Sequence, residues 1–150
     1  MRTRPWILGG DKASSPRRIL VRVTTLFRRL LGVTDLFVES VSFEPDGVLL
    51  QVRPRWRLPR CGECGTIAPG YDRARPRRWR HLGLGRARID LEYVPRRVSC
   101  SQCGGIRTEM VPWAEPGSAF TRDFEELVAY LAQVTDKTQV SKLMITVVIK

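Results

Sequence analysis

Several things are scarce in this chain of 150 residues. No apolar run reaches the ~18 residues that a bilayer span requires, so no membrane association is expected. Arginines near the N-terminus are not followed by an apolar core and a small-residue cleavage site, so no secretory signal is expected. The acid-poor, Arg- and Ser-bearing start imitates a transit peptide, but such a start is also common in basic bacterial proteins. Histidine occurs once, at His81 beside Trp79 and Leu82, where a packed structural role is the ordinary reading. The 15 acidic residues are scattered. Two-metal cleavage of a phosphodiester needs clustered carboxylates on a rigid sheet, and no such triad is evident. Lysine is nearly missing too, with 4 residues against 22 arginines.

What remains is a strongly basic chain, with a net charge of +11 and a pI near 10.5. Arginine presents a planar fork that grips phosphate in a bidentate way, so an Arg-dominated surplus suits a polyanion. The surplus is also localised. Between Arg53 and Arg97 there are 13 arginines and 4 acids, Glu63, Asp72, Asp90 and Glu92. Such clustering is the electrostatic footprint of a nucleic-acid partner. At this length the chain makes one ordinary domain or two very small ones, and small modules need support beyond an apolar core.

Met1 to Pro16 has no periodicity and reads as a flexible leader. From Arg18 a helical stripe follows, with Ile19, Val23, Leu26, Phe27 and Leu30 on one face and Gly32 to end it. Phe37 to Arg57 alternates around Pro45-Asp46-Gly47, a hairpin signal. The run Arg73 to Arg80 predicts another short strand. Arg86 to Val98 alternates again, with Ile89, Leu91 and Tyr93 opposite Asp90 and Glu92. Pro112 to Gly117 reads as a linker. Phe124, Leu127, Val128 and Leu131 mark a helix with Thr121 as its N-cap. Asp136 and Gln139 resemble a capping pair for a second helix, whose stripe is Val140, Leu143, Met144, Val147 and Val148.

The four cysteines form two pairs, Cys61-x-x-Cys64 and Cys100-x-x-Cys103, each followed by glycine. Two intervening residues let one turn present both sulfurs to a single ion. Two such knuckles make a closed tetrahedral shell, which is a structural zinc site and not a catalytic one. The 35 residues between the pairs hold predicted strands, as in a zinc ribbon. Iron remains open, since sequence hardly separates the two metals, and disulfide or redox roles stand as minor alternatives. Trp56, Tyr71, Trp79 and Tyr93 interleave with the arginines; in a small β module such aromatics are core or Arg-stacking residues more often than base-stacking ones.

With these residues placed, the chain resembles the N-terminal region of the ISL-three family of insertion-sequence transposases. The resemblance runs from about Val23 to Leu143. It rests on Leu30-Leu31-Gly32-Val33, Val48 to Arg57, Cys61 to Gly65, and Tyr71 to Leu82. It continues through Tyr93 to Cys103, Val111-Pro-Trp-Ala114, Phe120 to Glu125 and Asp136-Lys-Thr138. It implies a zinc ribbon and a helix-turn-helix that bind the element's terminal repeats, followed by an RNase-H-like catalytic domain. On that implication the chain stops before the catalytic domain and before the helix that would enter the major groove.

The expected architecture is therefore small α+β: an N-terminal helix, a β-hairpin and zinc-ribbon module, then a short helical hairpin, a partial helix-turn-helix. Its expected parts are a leader and amphipathic helix at 1–34, the ribbon at 35–113, a linker at 114–120 and the helix-turn-helix at 121–150. Expected metal ligands are Cys61, Cys64, Cys100 and Cys103, holding one structural zinc ion. Expected phosphate contacts are Arg73, Arg75, Arg77, Arg78 and Arg80, with Arg96 and Arg97, and Arg53, Arg55 and Arg57, behind them. The expected function is non-catalytic binding of double-stranded DNA at transposon ends in the bacterial cytoplasm, at the nucleoid. Alternatives are a stand-alone zinc-ribbon transcription regulator, or an interaction protein that forms a homo-oligomer or pairs with a full-length transposase.

Overall fold

The computed structural model describes residues 22–146, with side-chain surroundings as far as Lys142. The expected leader, Ile19, Val147 and Val148 lie outside the described residues, and so do the side-chain surroundings of the stripe positions Leu143 and Met144. The fold is small α+β, and among the described residues no helix is long and apolar enough to cross a membrane.

Helix α1 (Val23–Leu31) ends at Gly32, which takes a left-handed φ of 64°. Its inward face differs from the expected one. Phe27 and Leu31 are buried, while Val23, Leu26 and Leu30 are half-exposed. Residues four apart line up along a helix, so the docked row runs through Phe27 and Leu31; Val23 begins that row at the exposed first turn, while Leu26 and Leu30 fall to its side.

Strands β1 (Leu36–Glu44) and β2 (Gly47–Pro54) form the expected hairpin, with a bulge between Val38 and Ser40. The turn is Pro45-Asp46, and Gly47 already pairs with Glu44. Gly47 answers to a different neighbour. β2 also pairs in parallel with β5 (Ala87–Tyr93), and a Cβ on Gly47 would collide with the Arg88 carbonyl. β5 pairs antiparallel with β4 (Arg77–Leu84), giving the sheet order β1-β2-β5-β4. A parallel pair needs a long crossover between its strands. Here residues 55–86, which include the first cysteine knuckle and β4, make that connection.

One face of this sheet is the main core, built from Leu36, Val38, Leu50, Val52, Trp79 and Leu91, with Phe27 and Leu31 from α1. The segment expected to be a linker completes it. Trp113 and Ala114 are almost fully buried, and the Trp113 ring meets Trp79 and Tyr93 edge-on at 5.6 and 5.7 Å. Large aromatics carry the most apolar area per residue, which holds this Pro- and Gly-bearing stretch down against its local composition.

The expected single strand over Arg73 to Arg80 is two strands, β3 (Gly70–Arg73) and β4, separated at Ala74 to Pro76. Across from that break, β5 gives way to β6 (Arg96–Cys100) at Val94-Pro95. The Ala74 N–H donates to the Pro95 carbonyl at 2.8 Å, so the two-stranded ladder passes through the break into a second sheet, β3-β6-β7. Strand β7 (Gly105–Thr108), without a buried side chain, was not expected. This second sheet has only a minor core: Ala68, Val98, Cys61 and Cys100.

The chain returns to the edge of β4 before its last helices. Arg80 donates to the Ala119 carbonyl and Thr121 donates to the Arg80 carbonyl, both at 3.0 Å, which covers part of that edge. Thr121, fully buried, caps α2 (Arg122–Val134) as expected by accepting from the Phe124 N–H. Asp136 caps α3 (Lys137–Thr146), accepting from the N–H groups of Thr138 and Gln139 at 2.8 and 3.0 Å. Among the described side chains, Phe124 and Val140 are the buried ones of these two helices, whereas Leu127, placed inward by the sequence, is partly exposed.

Candidate metal centre and basic cleft

The first knuckle sits between β2 and β3, and the second between β6 and β7. Each turns on its glycine. Gly65 and Gly104 take φ values of 73° and 63°, a conformation that costs other residues about 1 kcal/mol or more. The Gly65 N–H closes the first turn on the Cys61 carbonyl at 2.9 Å. Pairing of Cys61 with Glu109 and of Gly62 with Thr108 brings this knuckle onto the second one.

The result gathers all four sulfurs within 4.8 Å of one another. Cys61 and Cys103 Sγ stand 3.8 Å apart, and Cys64 and Cys100 Sγ 3.5 Å apart. These distances exceed a disulfide bond, at about 2.05 Å, by far. A tetrahedral ion with bonds of about 2.3 Å to sulfur needs sulfurs about 3.8 Å apart, so the donor set fits zinc in number, type and spacing. Cys61 and Cys100 are buried and Cys64 is exposed. Hydrogen bonds from the Thr66 side chain and backbone bring the Cys64 thiol down to about 6, a thiolate-favouring environment suited to a ligand. A hydrogen bond with Cys64, then desolvation, then the bonds with Cys61 and Cys100, drives the Cys103 thiol upward.

The arginines expected to face phosphate divide into groups. Arg78 donates to Glu92 at 2.7 Å and to Glu44 at 3.2 Å, within a ladder of charges on the outer face of the large sheet. Arg97 is ion-paired with Asp72 across β3 and β6 and lies over the Tyr71 ring. Arg96 binds Glu109, whose side chain is fully buried. Arg77 donates to the Ser118 carbonyl at 2.9 Å and lies over Trp79, and Arg80 lies over the Phe124 ring. Arg73 and Arg75 are exposed and have no carboxylate partner among the described residues. On the outer face of β4, Arg78 is therefore neutralised by Glu92 and Glu44, whereas Arg73 and Arg75 leave uncompensated charge at the junction between the sheets.

No motif or periodicity in the sequence marks Glu109. Its carboxylate accepts from the Arg96 backbone N–H at 2.6 Å, from the Arg96 guanidinium and from the Tyr93 hydroxyl at 2.8 Å. Burial, then the bond to Glu109, pushes the Tyr93 hydroxyl up to about 12. The remaining end of Arg96 donates to the Arg57 carbonyl at 2.8 Å. Above this network lies a cleft of about 390 Å³, lined by Arg53, Arg57, Arg73 and Arg96 with Trp56 and Tyr93. His81 has the packed role expected: it is buried, with Nδ1 2.9 Å from the Thr121 hydroxyl.

A family model described as the zinc-finger of transposase IS204/IS1001/IS1096/IS1165 matches residues 57–103, which span both knuckles. The transposase for insertion sequence element IS1557 of Mycobacterium tuberculosis is 41% identical over 133 residues. That match covers 83% of this chain and 30% of the relative. The transposase for insertion sequence element IS1001 of Bordetella parapertussis is 30% identical over 91 residues, covering 59% of this chain and 22% of that protein. The chain thus spans less than a third of the length of these relatives. No solved structure matches it. With four cysteines placed for one structural zinc ion inside the matched segment, this chain carries the zinc ribbon of the ISL-three family of insertion-sequence transposases.

Proposed function

We propose that this part of the transposase binds double-stranded DNA and contributes to recognising the ends of the mobile element. One observation carries the reading. Two acid-free stretches, residues 54–60 and 73–80, meet at the junction of the two sheets, where Arg57 and Arg73 line one cleft. Arg73 and Arg75, with Arg55 and Arg57, make the principal phosphate contacts. Arg77, Arg78, Arg80, Arg96 and Arg97 hold the surface in shape and add to its field. The ribbon at 35–113 presents this surface, and the helical segment from Thr121 is joined to it through β4, so the two act as one binding unit. A closed four-thiolate shell has no open position for substrate, so the metal centre is read as structural. The DNA partner places the protein at the nucleoid.

The test is fluorescence anisotropy of the zinc-loaded chain with duplexes carrying or lacking a terminal repeat, over a range of salt. Four phosphate contacts predict a slope of about −3.6 in log affinity against log salt, or a loss of roughly two orders of magnitude between 50 and 200 mM. Salt-independent binding, or none in folded protein, contradicts the proposal. A second reading is pairing with another transposase chain through the exposed Leu127, Tyr130 and Val134 of α2. Sedimentation showing a monomer at high concentration removes it.

A further inference from the structure

The cleft at the sheet junction has the features of a built site and not merely of a charged surface. Its volume of about 390 Å³ lies at the small end of the range that holds one compact ligand group. Its polar lining is dominated by donors. Glu39 is the one acid that lines it, and Arg53 already engages that carboxylate at 2.8 Å. On the opposite wall Arg96 is fixed twice over, by the buried Glu109 below and by the Arg57 carbonyl alongside. Two walls are therefore held in place before any ligand arrives, which lowers the ordering cost of binding.

The other two arginines, Arg57 and Arg73, are exposed and have no carboxylate partner among the described residues. Trp56 lines the same cleft, and its indole N–H is shielded from solvent with no acceptor among the described residues. A ligand complementary to this lining is anionic, rich in acceptors, and able to take two guanidinium forks at once. A tetrahedral phosphate meets those demands, since each fork bonds a pair of its oxygens.

We propose that this cleft is a phosphate seat, with Arg57 and Arg73 as the contacting residues, and that it holds one phosphate of a bound nucleotide chain. The inference rests on the DNA-binding reading for the source of the phosphate, but not for the seat itself. Duplex DNA and a free nucleotide offer the same group, and the experiment separates them.

The experiment uses the isotope-labelled, zinc-loaded full chain. Inorganic phosphate and a mononucleotide are titrated while the Trp56 indole N–H resonance is followed, assigned with Trp56→Phe. In parallel, duplex binding is measured by anisotropy for the parent, for Arg57→Gln/Arg73→Gln, and for Arg28→Gln/Arg86→Gln, whose exposed arginines lie outside the cleft. The expected result is a saturable shift of Trp56, and at least a tenfold loss of duplex affinity in the cleft variant with a salt slope shallower by about 1, since the seat holds one phosphate. The control pair changes affinity less than twofold. If phosphate moves Trp56 in the parent but not in the cleft variant, and no duplex binds, the seat stands for free nucleotides and the DNA-binding reading fails. If duplex binds the parent and the cleft variant alike, the DNA-binding reading survives and the seat is refuted. A Trp56 signal that phosphate never moves refutes it as well.

Discussion

Replacing Glu109 by alanine tests the packing at the junction more severely than any surface change. The carboxylate is fully buried, and it serves the Arg96 backbone N–H, the Arg96 guanidinium and the Tyr93 hydroxyl. Its removal leaves a guanidinium that is only 23% exposed facing an empty pocket, together with two further donors lacking an acceptor. Breaking a buried ion pair from one side costs about 3–5 kcal/mol, and each stranded neutral donor contributes about 1–3 kcal/mol within that total. Against a total stability of about 5–15 kcal/mol, this is a large fraction. At about 2–4 °C per kcal/mol for a chain of this size, the melting temperature should fall by roughly 6–20 °C. Glu109→Gln retains the shape and one acceptor, and should cost about half as much. The assay is urea unfolding followed by near-ultraviolet circular dichroism, with free zinc held at the same excess for every variant, because bound metal adds to apparent stability. An alanine variant within about 1 kcal/mol of the parent would refute the assignment of Glu109 as the anchor of this junction.

Two other predictions concern the fold. Gly47→Ala should destabilise by about 2 kcal/mol or more, because its methyl group meets the Arg88 backbone where β2 and β5 run in parallel; an unchanged urea midpoint would contradict that pairing. Burial, only partly opposed by the charge of Asp123, lowers the His81 imidazole from its usual 6.5, so the folded state favours the neutral ring. The unfolded chain then binds the extra proton first, so this contribution is present above pH 6.5 and is lost as pH falls below it. Unfolding free energies between pH 7 and pH 5.5 should drop more steeply for the parent than for His81→Gln, by up to about 1.4 kcal/mol per pH unit. Parallel profiles would show that His81 is not held neutral.

The parts of the structure that could be read in advance are those set by residues close together in sequence. The two Cys-x-x-Cys-Gly knuckles, the Pro45-Asp46 turn and the caps at Thr121 and Asp136 each depend on a few neighbouring residues. The parallel pairing of β2 with β5 depends on strands some forty residues apart, and the alternation of Ile89 and Leu91 looks the same whichever partner they have. Trp113 was obscured because prolines and a glycine around it spell a connector, while its burial comes from Trp79 and Tyr93 on distant strands. Arginine count alone misjudged β4 for the same reason. Glu92 stands directly across from Arg78, so the register cancels a charge that the linear sequence leaves open. Strand β7 has four residues and no buried side chain, which leaves no periodicity to detect.

The central claim is that one zinc ion folds the ribbon that carries the basic junction. The minor core around Ala68 and Val98 is too small to hold the second sheet by itself, whereas a structural zinc supplies about 10–16 kcal/mol of apparent binding energy in small fingers. The direct measurement is metal content per chain together with near-ultraviolet circular dichroism as a chelator withdraws the metal. The account predicts one zinc per chain, and loss of the ordered aromatic signal from the junction in step with zinc release, with Cys61→Ser behaving as the chelated parent. A chain that keeps its full tertiary signal without metal, or that holds none when properly folded, would contradict it.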